Sequence, residues 1–138
     1  MLAILIDPIN LRVTEQYVEY KGINALLNCD KFKLVYSFNM SADAQQMDVL
    51  CVNSKGSSEP GCKGFEFTTA ENKKLNVAQR ALVCRVDLAQ NGKFISPQES
   101  LYNVALMVDW LPKERPVFNS SYMKIAMTET RSTGATII

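Results

Sequence analysis

The side chains of this sequence that could carry reaction chemistry are carboxylates and thiols, because histidine is absent. There are fourteen Asp and Glu and four cysteines, Cys29, Cys51, Cys62 and Cys84. Without imidazole, the commonest general base, the usual activator of a serine or cysteine nucleophile and the commonest transition-metal ligand are all missing. A Ser-His-Asp or Cys-His site is excluded. A zinc centre would have to use the cysteines or carboxylates, yet the cysteines are irregularly spaced and never form C-x-x-C. Two carboxylates do acid–base work only when their environments differ, and no local pattern singles out such a pair. There is no Gly-rich phosphate loop and no calcium loop. The sequence therefore predicts a non-enzyme, with no catalytic residue, no metal, no cofactor and no small-molecule ligand. The cysteines read as free thiols rather than a disulfide framework.

Fifteen Lys and Arg against fourteen Asp and Glu leave a net charge of +1, so no broad field draws the chain to a polyanion. The basic residues are scattered in pairs such as Lys31 and Lys33 or Lys73 and Lys74. The start, MLAILIDPINL, is apolar, but it lacks a basic flank and a cleavage site, and Asp7-Pro8 interrupts it. It predicts no signal peptide, and no apolar run is long enough to predict a membrane span. Composition assigns no compartment.

The elements that must position these residues have a period of two. Phe32, Leu34, Tyr36, Phe38 and Met40 alternate with smaller or polar residues, predicting a half-buried strand with one aromatic face. Leu11–Tyr20, Met47–Asn53, Phe65–Thr69, Val77–Leu88, Lys93–Ile95, Leu101–Leu111 and Tyr122–Arg131 read as further strands. The Gly/Ser/Pro loop 53–64 and the Asn91-Gly92 turn punctuate them. Two segments also carry helix signals. Ser96-Pro97-Gln98-Glu99 and Thr68-Thr69-Ala70-Glu71 have the form of capping boxes, so residues 97–111 and 71–82 could be helix or strand. A strand is expected over 101–111 and a short helix within 71–82. The fold class is mainly β: an antiparallel, jelly-roll-like β-sandwich of about eight strands with one or two short helices. Residues 1–138 form a single domain.

One fragment, Lys63-Gly64-Phe65-Glu66-Phe67-Thr68-Thr69, resembles the RNP1 octamer of RNA recognition motif domains. Val35-Tyr36-Ser37-Phe38-Asn39-Met40 loosely resembles the companion hexamer. The resemblance implies a single-stranded RNA- or DNA-binding module, with Tyr36, Phe65 and Phe67 as stacking platform and Lys63 beside the backbone. Glu66 departs from the pattern, standing where that family has a small residue.

The ends point elsewhere. Leu2, Ile4, Leu5, Ile6 and Ile9 open the chain, and Ile137 and Ile138 close it. Apolar ends need cover, which strand pairing within the chain or insertion into a neighbouring subunit would give. Several strands also carry apolar residues on both faces, notably Ala81, Leu82, Val83, Cys84, Val86 and Leu88. Residues 1–9 and 134–138 are therefore expected to act as arms, with the seven terminal residues just named as an interface between subunits. This predicts a homo-oligomeric structural subunit, in its sharpest form a coat, shell or tail component of a virion. Nucleic acid is the alternative partner.

Overall fold

The structure, a computed structural model, describes residues 1–55, 63–111 and 136–137. Strands β1 (Leu2–Asp7) and β2 (Arg12–Tyr17) form a hairpin. A 3-10 turn (Tyr20–Gly22) runs into the short helix α1 (Ile23–Leu26). Then follow β3 (Phe32–Phe38), β4 (Gln46–Asn53), β5 (Gly64–Thr68), β6 (Lys74–Ala78), β7 (Ala81–Asp87) and β8 (Lys93–Ile95). Helix α2 (Leu101–Leu106) leads directly to β9 (Val108–Leu111), and β10 (Thr136–Ile137) is a two-residue strand. The large sheet has the order β10-β2-β1-β7-β4-β3, with β8 pairing to β7 beyond the end of β1. A second, three-stranded sheet has the order β6-β5-β9. The fold is mainly β and sandwich-like, built from two sheets.

Four expectations need correction. Residues 1–9 are not a free arm: Leu2–Asp7 is an interior strand, paired on both sides by β2 and β7. Its Ile4, Leu5 and Ile6 are buried by the chain itself, which is a cheaper way to hide an apolar run than a partner. Residues 101–106 are helical rather than extended. The Ser100 hydroxyl accepts the Asn103 N–H at 3.1 Å and starts α2, two turns that bury Val104 and Ala105. The strand expected there survives as β9. Within 71–82 there is no helix. Asn72 and Gln79, both with positive φ, turn the chain, and β6 lies between them because Phe65 and Phe67 pair with Val77 and Leu75. Finally, a bulge at Val35 divides the aromatic stripe of β3. Leu34 faces Cys51 across the ladder, whereas Tyr36 faces Leu50, so the two lie on opposite sides of the sheet. Phe32 packs with the second core described below, and Phe38 belongs to the first. The strand expected at Tyr122–Arg131 lies outside the described residues.

The large sheet is the middle of three layers. One face packs Ile4, Ile6, Leu50, Val52, Ala81 and Val83 against Phe65, Phe67 and Val77 of the small sheet and Val104 of α2. The other packs Ala3, Leu5, Val49, Cys51, Leu82, Cys84 and Val86 under Ile23 and Leu27. All seven residues of β7 are buried, so its two apolar faces are covered within one chain. At one end of the first face lies a polar node. Asp48 and Arg85 are cross-strand partners, and the guanidinium Nη1 donates to Asp48 Oδ1 at 2.9 Å.

The second core contains a thiol pair. Cys51 and Cys84 lie on adjacent strands in diagonal register, with their sulfurs 3.5 Å apart. Hydrogen bonding to Cys51, then burial, pushes the Cys84 thiol far above its ordinary range. Both side chains are fully buried, and at Cys84 the reactive thiolate is also disfavoured, so both should resist alkylation. Iodoacetamide is expected to leave Cys51 and Cys84 unmodified in the native protein and to modify both in denaturant. Rapid native labelling of either, read by peptide mass spectrometry, would contradict this packing.

Candidate functional site

The segment between β2 and β3 forms one wall of a concavity on the described surface. Its entry is fixed by the chain start: the Met1 ammonium donates to the Val18 carbonyl at 3.0 Å, and Val18 N–H donates back at 2.9 Å. Ile23 and Leu27, fully buried, clamp α1 onto the sheet. Between these anchors the 3-10 turn projects Tyr20 over the sheet end. From below, β8 supplies Phe94, held opposite Val86, and the bulge of β3 leaves Phe32 on this same face. The three rings meet edge to face. Centroids are 5.0 Å apart for Tyr20–Phe94, 5.8 Å for Tyr20–Phe32 and 6.0 Å for Phe32–Phe94.

Around them is a cleft of about 410 Å³ lined also by Lys21, Asn24, Lys31, Lys33 and Leu34. That volume lies in the usual range for ligand sites. Tyr20 is 61% exposed, so the cleft is open at one lip. Lys21 pairs loosely with Glu19 at 3.6 Å. Lys31 and Lys33 have no acidic partner within 4.0 Å among the described residues. Asn24 has one end committed: its Oδ1 accepts Phe32 N–H at 3.0 Å and the Cys29 thiol at 3.8 Å. That orients its Nδ2 as the remaining donor. The arrangement combines flat apolar rings, cations and an amide. Its titratable side chains are Tyr20, Lys21, Lys31 and Lys33.

The residues singled out from sequence are placed differently. Phe65 and Phe67 are 0% exposed, locked between the sheets, and cannot present a face to a base. Phe65 meets Trp110, while Phe67 meets Tyr36 and Phe38. Tyr36 is half-buried, stacks on Phe38 at 5.3 Å and donates its hydroxyl to Glu71 at 2.9 Å. Lys63 is exposed just before β5. Gly64 serves the sheet: a Cβ there would strike the Val77 carbonyl of β6. Of the terminal residues, Leu2, Ile4, Leu5 and Ile6 are in β1, Ile9 is exposed on the following turn, and Ile137 is in β10. Ile138 lies outside the described residues.

Sequence reasoning missed the cleft because Tyr20, Phe32 and Phe94 are far apart in the chain. The local signal was Lys31-Phe32-Lys33, an aromatic between two cations. Among the described residues, no group of three or more Cys, Asp or Glu is placed to hold a metal ion, and no helix is long and apolar enough to cross a membrane. Compared with known proteins, the chain matches no family model, no curated protein and no solved structure.

Proposed function

We propose that this chain is a non-enzymatic binding domain whose cleft between residues 18–31 and the large sheet receives a flat, negatively charged ligand. The observation that carries this is the three-ring cluster of Tyr20, Phe32 and Phe94 set among Lys21, Lys31 and Lys33. Rings stack on a planar ligand, and the ammonium groups offset its charge. Nucleoside monophosphates combine both features and are the direct probe. Uridine or adenosine monophosphate is expected to shift the amide resonances of Tyr20, Phe32 and Phe94 and to raise Tm. Tyr20→Ala, at an exposed position, is expected to abolish the shifts without lowering Tm. Inorganic phosphate should do neither. Absence of any shift at millimolar nucleotide would remove the proposal.

A second reading, self-association, rests on β3, which is an edge of the large sheet and leaves Leu34 and Val35 exposed. Leu2–Asp7 is already paired within the chain, and the Val35 bulge and Lys33 are features that blunt edge pairing at β3. Light scattering at micromolar concentration decides it. A strict monomer rejects an assembly role, including that of a coat or shell subunit.

A further inference from the structure

We infer that Asn24 sets the ligand class of the cleft: it selects a heteroaromatic anion whose ring carries a hydrogen-bond acceptor, such as a ring carbonyl, over a carbocyclic aromatic anion. This deepens the proposed function and rests on it. Phe32 opens β3, an edge of the large sheet. The Lys31 carbonyl accepts the Ser54 N–H at 2.9 Å, so by the alternation of an antiparallel ladder the Phe32 N–H points away from β4. Asn24 takes up that donor. It stands on α1 next to the fully buried Ile23, and its backbone carbonyl accepts the Cys29 N–H at 2.9 Å. Its side-chain oxygen is fully used: Oδ1 accepts the Phe32 N–H at 3.0 Å and the Cys29 thiol at 3.8 Å, one donor for each lone pair.

These contacts fix the polarity of the amide. An N–H donor requires oxygen opposite it, so the other end is Nδ2, and among the described residues Nδ2 has no hydrogen-bond partner. The one buried side-chain nitrogen or oxygen left without a partner among the described residues is Arg80 Nε, so Asn24 Nδ2 reaches solvent, and Asn24 lines the cleft. A fixed donor beside aromatic rings reads the edge of a flat ligand. A ring carbonyl or an unprotonated ring nitrogen accepts from it. A C–H edge offers it nothing, and a ring amino group sets donor against donor. The other polar groups of the cleft impose no such polarity. The Tyr20 hydroxyl donates or accepts, and the ammonium groups of Lys21, Lys31 and Lys33 swing on flexible stems and answer to charge. The faces of Tyr20, Phe32 and Phe94 accept any flat ring.

The test crosses two ligands, uridine monophosphate and phenyl phosphate, with the native protein and Asn24→Asp. Both ligands are aromatic phosphate monoanions or dianions with one flat ring, and only the uracil ring carries acceptors. Asn24→Asp keeps an oxygen for the Phe32 N–H and turns the remaining donor into an acceptor. Its added charge acts on both phosphates and cancels in the ratio, as does the contribution of the ribose. The native protein is expected to bind uridine monophosphate at least about tenfold more tightly than phenyl phosphate, near the upper end of what one hydrogen bond contributes. Only the former should shift the side-chain amide resonances of Asn24. Asn24→Asp is expected to reduce that preference by about tenfold while leaving Tm close to the native value. Phenyl phosphate binding the native protein as tightly as uridine monophosphate overturns the inference and leaves the proposed function standing. So does an unmoved Asn24 side-chain amide, or equal weakening of both ligands by Asn24→Asp. Binding of neither ligand to the native protein removes both.

Discussion

Asp48→Ala is expected to lower folding stability by about 3–5 kcal/mol, the range for stranding one partner of a buried ion pair. The carboxylate is fully buried and Arg85 nearly so. Asp48 accepts four hydrogen bonds: Arg85 Nη1 at 2.9 Å, Asn39 Nδ2 at 2.8 Å, and the backbone N–H groups of Gln98 and Glu99 at 2.9 Å each. Alanine leaves the Gln98 and Glu99 N–H groups without an acceptor, leaves Asn39 Nδ2 only Glu99 Oε2 at 3.0 Å, and takes the counter-charge from a guanidinium that cannot deprotonate. Arg85 keeps only the Asn39 carbonyl at 3.0 Å and Gln46 Oε1 at 3.3 Å. The two backbone donors tie the 97–100 segment to the large sheet and so fix where α2 begins. Urea denaturation measures the loss, and the paired substitution Asp48→Leu with Arg85→Met separates its sources. The double variant is expected to regain the part of the loss that comes from the stranded guanidinium, while the part that comes from the unpaired Gln98 and Glu99 N–H groups persists. A loss for Asp48→Ala no greater than the roughly 1 kcal/mol of an exposed pair would mean that the node is solvated.

Phe67→Ala is expected to cost about 3–5 kcal/mol as well, through a different mechanism. The ring is fully buried and touches Tyr36 and Phe38, at centroid distances of 6.1 and 6.2 Å, in the core shared by the two sheets. Truncation removes apolar burial and leaves a cavity between layers that are both held by strand pairing, so collapse around it is limited. The same substitution discriminates between two views of the Lys63–Thr69 fragment. On an RNA-facing sheet Phe67 would be solvent-exposed, and alanine would abolish binding with no change in Tm. In the observed fold the large effect falls on stability. Thermal and urea unfolding of Phe67→Ala decide the matter, and an unchanged Tm would refute the burial described here.

The resemblance to the RNA-binding octamer was carried by a Gly-aromatic pattern that a packed sheet also produces. Gly64 is required by the close approach of β6, and the alternating phenylalanines by the inter-sheet core. The pattern was real and its cause lay in packing. Tyr20, Lys21, Lys31 and Lys33 are among the aromatic and basic residues that do reach the surface, and they come from the turn after β2 and the start of β3. Phe94 was visible only as part of a short strand after Asn91-Gly92.

Local sequence determined what depends on neighbours along the chain. Alternation determined β4, β5 and β8, the Asn91-Gly92 turn located the return to β8, and the absence of histidine removed whole classes of chemistry. Tertiary structure decided the rest. Whether Leu2–Asp7 is an arm or a central strand depends on which edge its backbone groups meet, and β7 provides that edge some eighty residues later. Whether Leu101–Leu106 is helix or strand depends on Asp48, a distant carboxylate that takes up the two N–H groups just ahead of the Ser100 cap. The face that Phe32 adopts depends on one unpaired residue, Val35, because a single bulge reverses every side chain beyond it. Periodicity records the local backbone state. It carries no information about register or about pairings between distant segments, and those pairings build the cleft.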